Sequence, residues 1–330
     1  MTSYFLKKMA GLIILLLGIT FVSFFVIHLA PGSPAGAWAD LNPKMSAQAR
    51  EKLNKLYGLD QPLIRQYGDW LARVVRLDFG NSFVDGQRAI VKIGRAVPVT
   101  LLINLLGLFL ILLIGIPLGI LGAVRKGSFL DNGLSFFLLA GFCVPGFWLA
   151  LVLVSWFGAG LHLLPVSGLT SIFHEEMSLG ARVVDLARHL VLPISVILIT
   201  GLAGVSRFMR SSMLDVLRQN YIRSARARGL SETKVLWGHA LPNAVLPLVT
   251  LLGLSVPGLL GGSVVLESIF SIPGMGRLFY QSVFARDYPV IMGILVLGAV
   301  LTLLGNLLAD VAYGFCDPRI HFGQKRGQER

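Results

Sequence analysis

Few side chains in this chain of 330 residues stand at spacings that do chemistry. Gly122 and Gly127 approach the glycine-rich loop that cradles phosphates, but Ser128 stands where that loop needs its lysine, so no nucleotide site is expected. His174 and Glu175 begin like a zinc-peptidase helix, yet no second His follows at the required spacing. Cys143 lies inside an apolar run and Cys316 near the C-terminus; two cysteines make no disulfide framework, and no Cys and His spacing suggests a zinc site. Asp310 is the one acid inside an apolar run. It sits close to the end of that run, where a carboxylate reaches water or a basic partner without full desolvation, so a helix-end role is favoured over a proton relay. Neither catalytic residues, nor a metal, nor a cofactor is expected, and the chain reads as a non-catalytic one.

The elements that must position these residues are set by composition. The chain is 55% hydrophobic and only 14% charged, whereas soluble domains are charged at roughly a quarter of their positions. A net charge of +12, from 29 basic against 17 acidic residues, would suit a nucleic-acid partner. The charges fall between long uncharged runs, so no nucleic acid is expected and lipid is the surrounding medium. Crossing a bilayer takes about 20 apolar residues. Six runs qualify, approximately Met9 to Leu29, Val99 to Ala123, Leu134 to Gly158, Leu190 to Ser206, Ala244 to Leu266 and Tyr288 to Ala312. The fourth is short and needs Arg207 and Arg210 to snorkel from its end. Lys7 and Lys8 before the first run also fit a cleavable leader, but the run exceeds the usual h-region and is read as an uncleaved span.

Lys and Arg in the short connections set the orientation. Lys7, Lys8, Arg125, Lys126, the cluster from Arg207 to Lys234, and Arg319, Lys325, Arg326 and Arg330 share one side, which is the cytoplasm. The expected fold is therefore an all-α integral membrane protein with six transmembrane helices and both termini cytoplasmic. Residues 1–29 hold the N-terminus and the first span, 30–98 a long external loop, 99–313 the core with a cytoplasmic segment at 207–243, and 314–330 a cytoplasmic tail. The external loop is expected to be partly helical. Leu63, Ile64, Tyr67, Trp70, Leu71, Val74 and Val75 recur at helical spacing after Pro62, and a shorter helix is expected around Ala47 to Tyr57. The loop reads as a cap on the spans or as a docking surface. Pro117, Pro145, Pro193, Pro247 and Pro257, with their neighbouring glycines, read as packing first and gating second.

The segment from Arg207 to Asn243 is basic and long for a cytoplasmic connection. From Asn220 to Arg228, Ile222 and Ala225 share a helical face with Gly229 while Arg223 and Arg226 point elsewhere, and Gly229 is placed as a C-terminal stop. Such a helix suits either a groove in another protein or a surface of anionic headgroups.

Ala225, Gly229, Leu241 and Pro242 reproduce the spacing Glu-Ala-Ala, three residues, Gly, nine residues, Ile, any residue, Leu-Pro. That pattern resembles the signature loop of permease subunits of bacterial ATP-binding-cassette importers. Arg223 replaces its acidic residue and His239 its isoleucine. The run from Tyr221 to Leu230 resembles the variant found in the dipeptide, oligopeptide and nickel branch. Pro31-Gly32-Ser33-Pro34, the run from Leu56 to Pro62, Leu77-Asp78-Phe79-Gly80, Pro165-Val166-Ser167-Gly168, the run from Glu267 to Gly274, Arg286-Asp287-Tyr288-Pro289-Val290 and Asp317-Pro318-Arg319-Ile320 are similar to the same branch.

The resemblance implies a division of labour in the bacterial inner membrane. Partner ATPase subunits would hydrolyse ATP, an external binding protein would deliver substrate, and a second homologous permease would complete the path, which opens by alternating access. Tyr221, Ile222, Arg223, Ala225, Arg226, Gly229, Leu241 and Pro242 would make the ATPase-coupling contact. The cargo would be short peptides, or else nickel or a chelated metal. From outside this class, a stand-alone ion-coupled carrier or a membrane scaffold is the competing reading.

Overall fold

A computed structural model of the chain describes residues 2–29, 60–255 and 258–316, together with residues 48, 51 and 55. The expected helix around Ala47 to Tyr57 falls mostly outside these residues, as do Pro31 to Pro34 and Asp317 to Ile320. Among the described residues helices dominate and no strand forms; Asn81 and Arg88 make one isolated antiparallel bridge.

Helix α1 spans Thr2–Leu29 and is strongly apolar from Ala10 onward. Helix α2, Leu63–Val74, starts at Pro62 as the spacing predicts. It turns Trp70 inward against Phe24 of α1, with Phe79, Ile93, Val290 and Met292 completing that core. The segment after α2 is thus fastened to the spans by packed aromatic rings. Helix α3, Ala89–Val124, begins ten residues before the expected span, because its first turns hold Lys92 and Arg95, which belong outside hydrocarbon.

Helix α4, Phe129–Cys143, is capped by Ser128, whose hydroxyl accepts the Asp131 N–H. Val144 is extended before Pro145, and α5, Gly146–Leu153, then leaves at 93° with a π-helical continuation over Val154–Gly160. The expected third span is therefore bent. Helix α6, Leu179–Leu217, runs well beyond the expected fourth span at both ends; its extensions carry Arg182, Asp185 and Arg188 on one side and Arg207, Arg210 and Asp215 on the other.

Helix α7 covers Asn220–Ala227. A single turn at Glu232–Lys234 and a π-helical stretch at Val235–Ala240 lead into α8, Leu241–Ser255. Short helices α9, Gly258–Gly261, and α10, Val264–Ile269, follow, then α11, Met275–Phe284, and α12, Tyr288–Cys316. The expected fifth span, Ala244 to Leu266, is thus divided rather than continuous. Ser263 explains the last restart, since its hydroxyl accepts the Leu266 N–H and caps α10. Among the described residues, four helices are long and apolar enough to cross a membrane, and five spans result if the bent pair counts as one.

Helices α3 and α6 form the centre, and their approach is close because glycines face the partner. A Cβ at Gly119 would lie 2.6 Å from the Ser206 carbonyl oxygen, and Gly107, Gly115 and Gly201 are similarly filled by Ile197, Val205 and Ile111. Two further cores flank this seam. One gathers Ile103, Ala150, Leu192, Val196, Leu266 and Phe270; the other gathers Ala123, Met209, Met213, Ile222, Val235 and Ala244 around the α6–α7 connection.

Candidate functional site

The connection between α6 and α8 is built as an ordered unit. Helix α7 ends where expected: Arg228 caps it, and Gly229 follows with φ +78°, a left-handed conformation that a β-carbon disfavours. No atom lies within 4 Å of a Cβ placed on Gly229, so the requirement there is conformational and not steric. Across this turn Arg226 donates two hydrogen bonds to Glu232, at 2.8 and 3.1 Å. Both side chains are exposed, so the pair orients the turn and contributes about 0.2–1 kcal/mol.

The resemblance implies that Ile222 and Ala225 meet the ATPase, but their side chains face the chain's own interior. Ile222 and Ala225 are buried, packed with Met209, Met213, Val235 and Ala240 of the same chain. Burying the Ile222 side chain contributes about 1.5–3 kcal/mol, which pins α7 to the end of α6. These two residues position the helix from behind. Tyr221, Arg223, Ser224, Arg226, Ala227 and Arg228 are exposed on the rest of its surface. Leu241 is half-buried and Pro242 exposed at the start of α8, while Ser212 Oγ donates to the Ala244 carbonyl at 2.7 Å and ties α6 to α8. The structure thus gathers all eight residues into one segment, with Ile222 and Ala225 on its inside and an aromatic and basic surface outside.

Four buried carboxylates carry structure that sequence spacing did not reveal. Asp131 at the start of α4 accepts Arg210 Nε and a second guanidinium nitrogen, each at 2.7 Å, and the Gly127 N–H at 2.9 Å. Glu267 of α10 accepts the Thr100 hydroxyl at 2.9 Å and the Arg277 backbone N–H at 2.9 Å, while Thr100 accepts the Met275 N–H. Asp287 accepts the Ser82 hydroxyl and the Phe83 N–H, with Lys92 at 3.8 Å. Asp185 accepts the Ser171 N–H and meets His174 at 2.7 Å. His174 is therefore a loop anchor. The Ser-x-x-Asp spacing of Ser128 and Asp131 fits a helix cap but carries no sign of the Arg210 partner 79 residues on.

Between α2 and α3, Ser82 and Gln87 close a small hairpin, and Lys92 Nζ donates to Asp85 at 2.9 Å. Burial works against the Asp85 charge, but hydrogen bonds from Lys92, Gln87 and Ser82 outweigh it and hold the carboxyl below its ordinary value. A cavity of about 720 Å³ opens beside this hairpin, lined by Phe24, His28, Trp70, Phe79, Phe83 and Tyr288 among others.

Comparison with known proteins finds relatives over nearly the full chain. Residues 115–322 match the family described as binding-protein-dependent transport system inner membrane component, and residues 1–104 match its N-terminal companion. The oligopeptide transport system permease protein AppB of Bacillus subtilis is 42% identical over 98% of this chain and 100% of its own length. The di/tripeptide transport system permease protein DppB of Pseudomonas aeruginosa is 35% identical over 97% of this chain and 99% of its own. Among solved structures, an inward-facing form of the MetNI methionine ABC transporter superposes with a TM-score of 0.54 at 19% identity, covering 69% of this chain and 97% of that one. That likeness shows the fold.

Proposed function

The chain belongs to the family of binding-protein-dependent transport system inner membrane components, and on that premise we propose that it is the permease subunit of an ATP-driven importer of short peptides. Peptide cargo follows from the names of the relatives. The mechanical role rests on one observation: α7 is fixed from behind by Ile222 and Ala225 and presents Tyr221, Arg223 and Arg228 outward at the end of α6. A rigid, exposed and basic surface of this kind receives a push from a partner without absorbing it locally.

In this reading the ATPase subunits seat on the outer face of α7, with Gly229, Leu241 and Pro242 shaping its edges. Nucleotide-driven closure displaces α7, and α6 and α8 carry the displacement to the helices lining the path, exchanging inward- and outward-facing cavities. Free energy enters through contacts at α7 that differ between the two states. A second permease subunit supplies the other wall, and an external binding protein hands over the peptide. Six spans with both termini cytoplasmic, the fifth formed by the divided helices from α8 to α10, complete the proposed topology.

Uptake of a labelled tripeptide into vesicles holding the assembled transporter and its binding protein tests this reading. ATP-dependent uptake that survives dissipation of ion gradients is expected. A lone chain that takes up tripeptide only under an ion gradient would replace the reading with that of a carrier.

A further inference from the structure

Three helices meet at one point on the side of the molecule where α6 runs into α7. Gly119 and Gly122 of α3 leave space there: a Cβ on Gly122 would lie 3.1 Å from Asp131 Oδ1 and 3.2 Å from Arg210 Cδ. Into that space α6 sends Arg210 and the α3–α4 turn sends Asp131. The guanidinium grips both carboxylate oxygens, and the Gly127 N–H adds a third donor from the turn itself. Asp131 is 2% exposed and the Arg210 side chain 31%, so the pair is shielded on the carboxylate side and weakly screened by salt. One turn on along α6, Met213 packs on Ile222 and Ala225 of α7, and Met209 beside Arg210 joins the same core.

From this geometry we infer that the Asp131–Arg210 pair is a strut that makes α7, the end of α6 and the α3–α4 hairpin move as one body, so that displacement of α7 reaches α4. The inference rests on the coupling role of α7. A bidentate pair resists rotation as well as separation, which a single hydrogen bond or an apolar contact does not. The planar fork is specific to Arg, so Lys in its place would keep the charge and lose the orientation. Asp131 and Arg210 are positioning residues in this sense; neither touches cargo.

Spin labels at Asn132 and Ser224, both exposed, report on the two ends of the proposed body in the assembled transporter with Cys143 and Cys316 replaced by Ser. Between the nucleotide-free and vanadate-trapped states, the distance between labels should stay within about 2 Å, the scale of small helix shifts. In Asp131→Asn and in Arg210→Lys the same nucleotide step should widen or shift the distribution beyond that range. A change well beyond it in the unsubstituted pair overturns the strut, even if neither variant assembles. Unchanged distances in an assembled variant overturn it too. The spectrum of the Ser224 label separates this from failure of the coupling role: a label that is not immobilised when the ATPase subunits bind sinks that role, whereas an immobilised label with the wrong distances sinks the strut alone.

Discussion

Ala225 and Arg223 stand two residues apart on α7 and do opposite things. Ala225 is 1% exposed against Met209 and Val235, so a carboxylate there would be buried without a partner, a change of about 3–5 kcal/mol. Ala225→Glu should therefore lower the amount of folded chain in the membrane. Arg223→Glu, on the exposed face, should leave that amount unchanged and weaken retention of the ATPase subunits; quantitative blots of membrane and of pulled-down complex distinguish the two. Gly229→Ala tests the backbone alone, since no neighbour crowds the new methyl. It should destabilise the α7 turn by about 1 kcal/mol, read as faster hydrogen exchange over 220–235. The helix and its glycine stop were legible in the sequence, but the direction of its small-residue face was not. Ile222 and Ala225 at helical spacing announce a covered face and do not say whose atoms cover it. The buried carboxylates were illegible for another reason: Thr100 and Glu267 are 167 residues apart, and Asp131 and Arg210 are 79 apart. No local pattern joins them.

Among the elements, uniform apolar helices were read from sequence and interrupted ones were not. Helices α1, α3 and α12 follow from charge-free runs alone. Their charged extensions were missed because Lys92 and Arg95 were counted as loop residues, whereas a helix continues past the hydrocarbon wherever its charges find partners. The divided segment from α8 to α10 was read as one span because mean hydropathy does not register a cap such as Ser263. The hairpin between α2 and α3 is held by Asp85, Ser82 and Lys92 and tied to Asp287. Its pH response follows from Asp85, whose carboxyl is held below the ordinary value of 3.8. A lowered folded value stabilises the hairpin at pH above that of the unfolded group, and the contribution disappears as pH falls through the folded value. Exchange protection of the 80–89 amides, corrected for intrinsic rates, should be flat between about pH 7 and 5 and decline only below about pH 4. Protection that declines between pH 7 and 5 would remove Asp85 from that role.

At the scale of the molecule, the proposed coupling role separates energy input from the path. The chain lacks a phosphate loop, and α7 with its basic outer face lies at one end of α6, while the α6 N-terminus and the loop bearing Ile172 lie at the other. Positive charge divides the same way: Arg207, Arg210, Arg218, Arg223, Arg226 and Arg228 cluster around the α6–α7 connection, whereas Arg182 and Arg188 near the other end are accompanied by Glu175, Glu176 and Asp185. The basic residues from Lys44 to Arg95 oppose this assignment if counted, but they lie in a connection longer than roughly 60 residues, over which charge bias loses its hold on orientation. In the structure, Trp70 of α2 and Phe79 before the hairpin pack on Phe24 near the C-terminal end of α1 and on Val290 and Met292 near the N-terminal end of α12. A cysteine at Ile172, which is 95% exposed, should thus react with an impermeant maleimide added to intact cells, in a chain with Cys143 and Cys316 replaced. One at Ser231, exposed in the turn after Gly229, should react only after the cells are opened. The reverse labelling would place α7 outside, away from ATP, and with it would fall both the coupling role and the six-span topology with cytoplasmic termini.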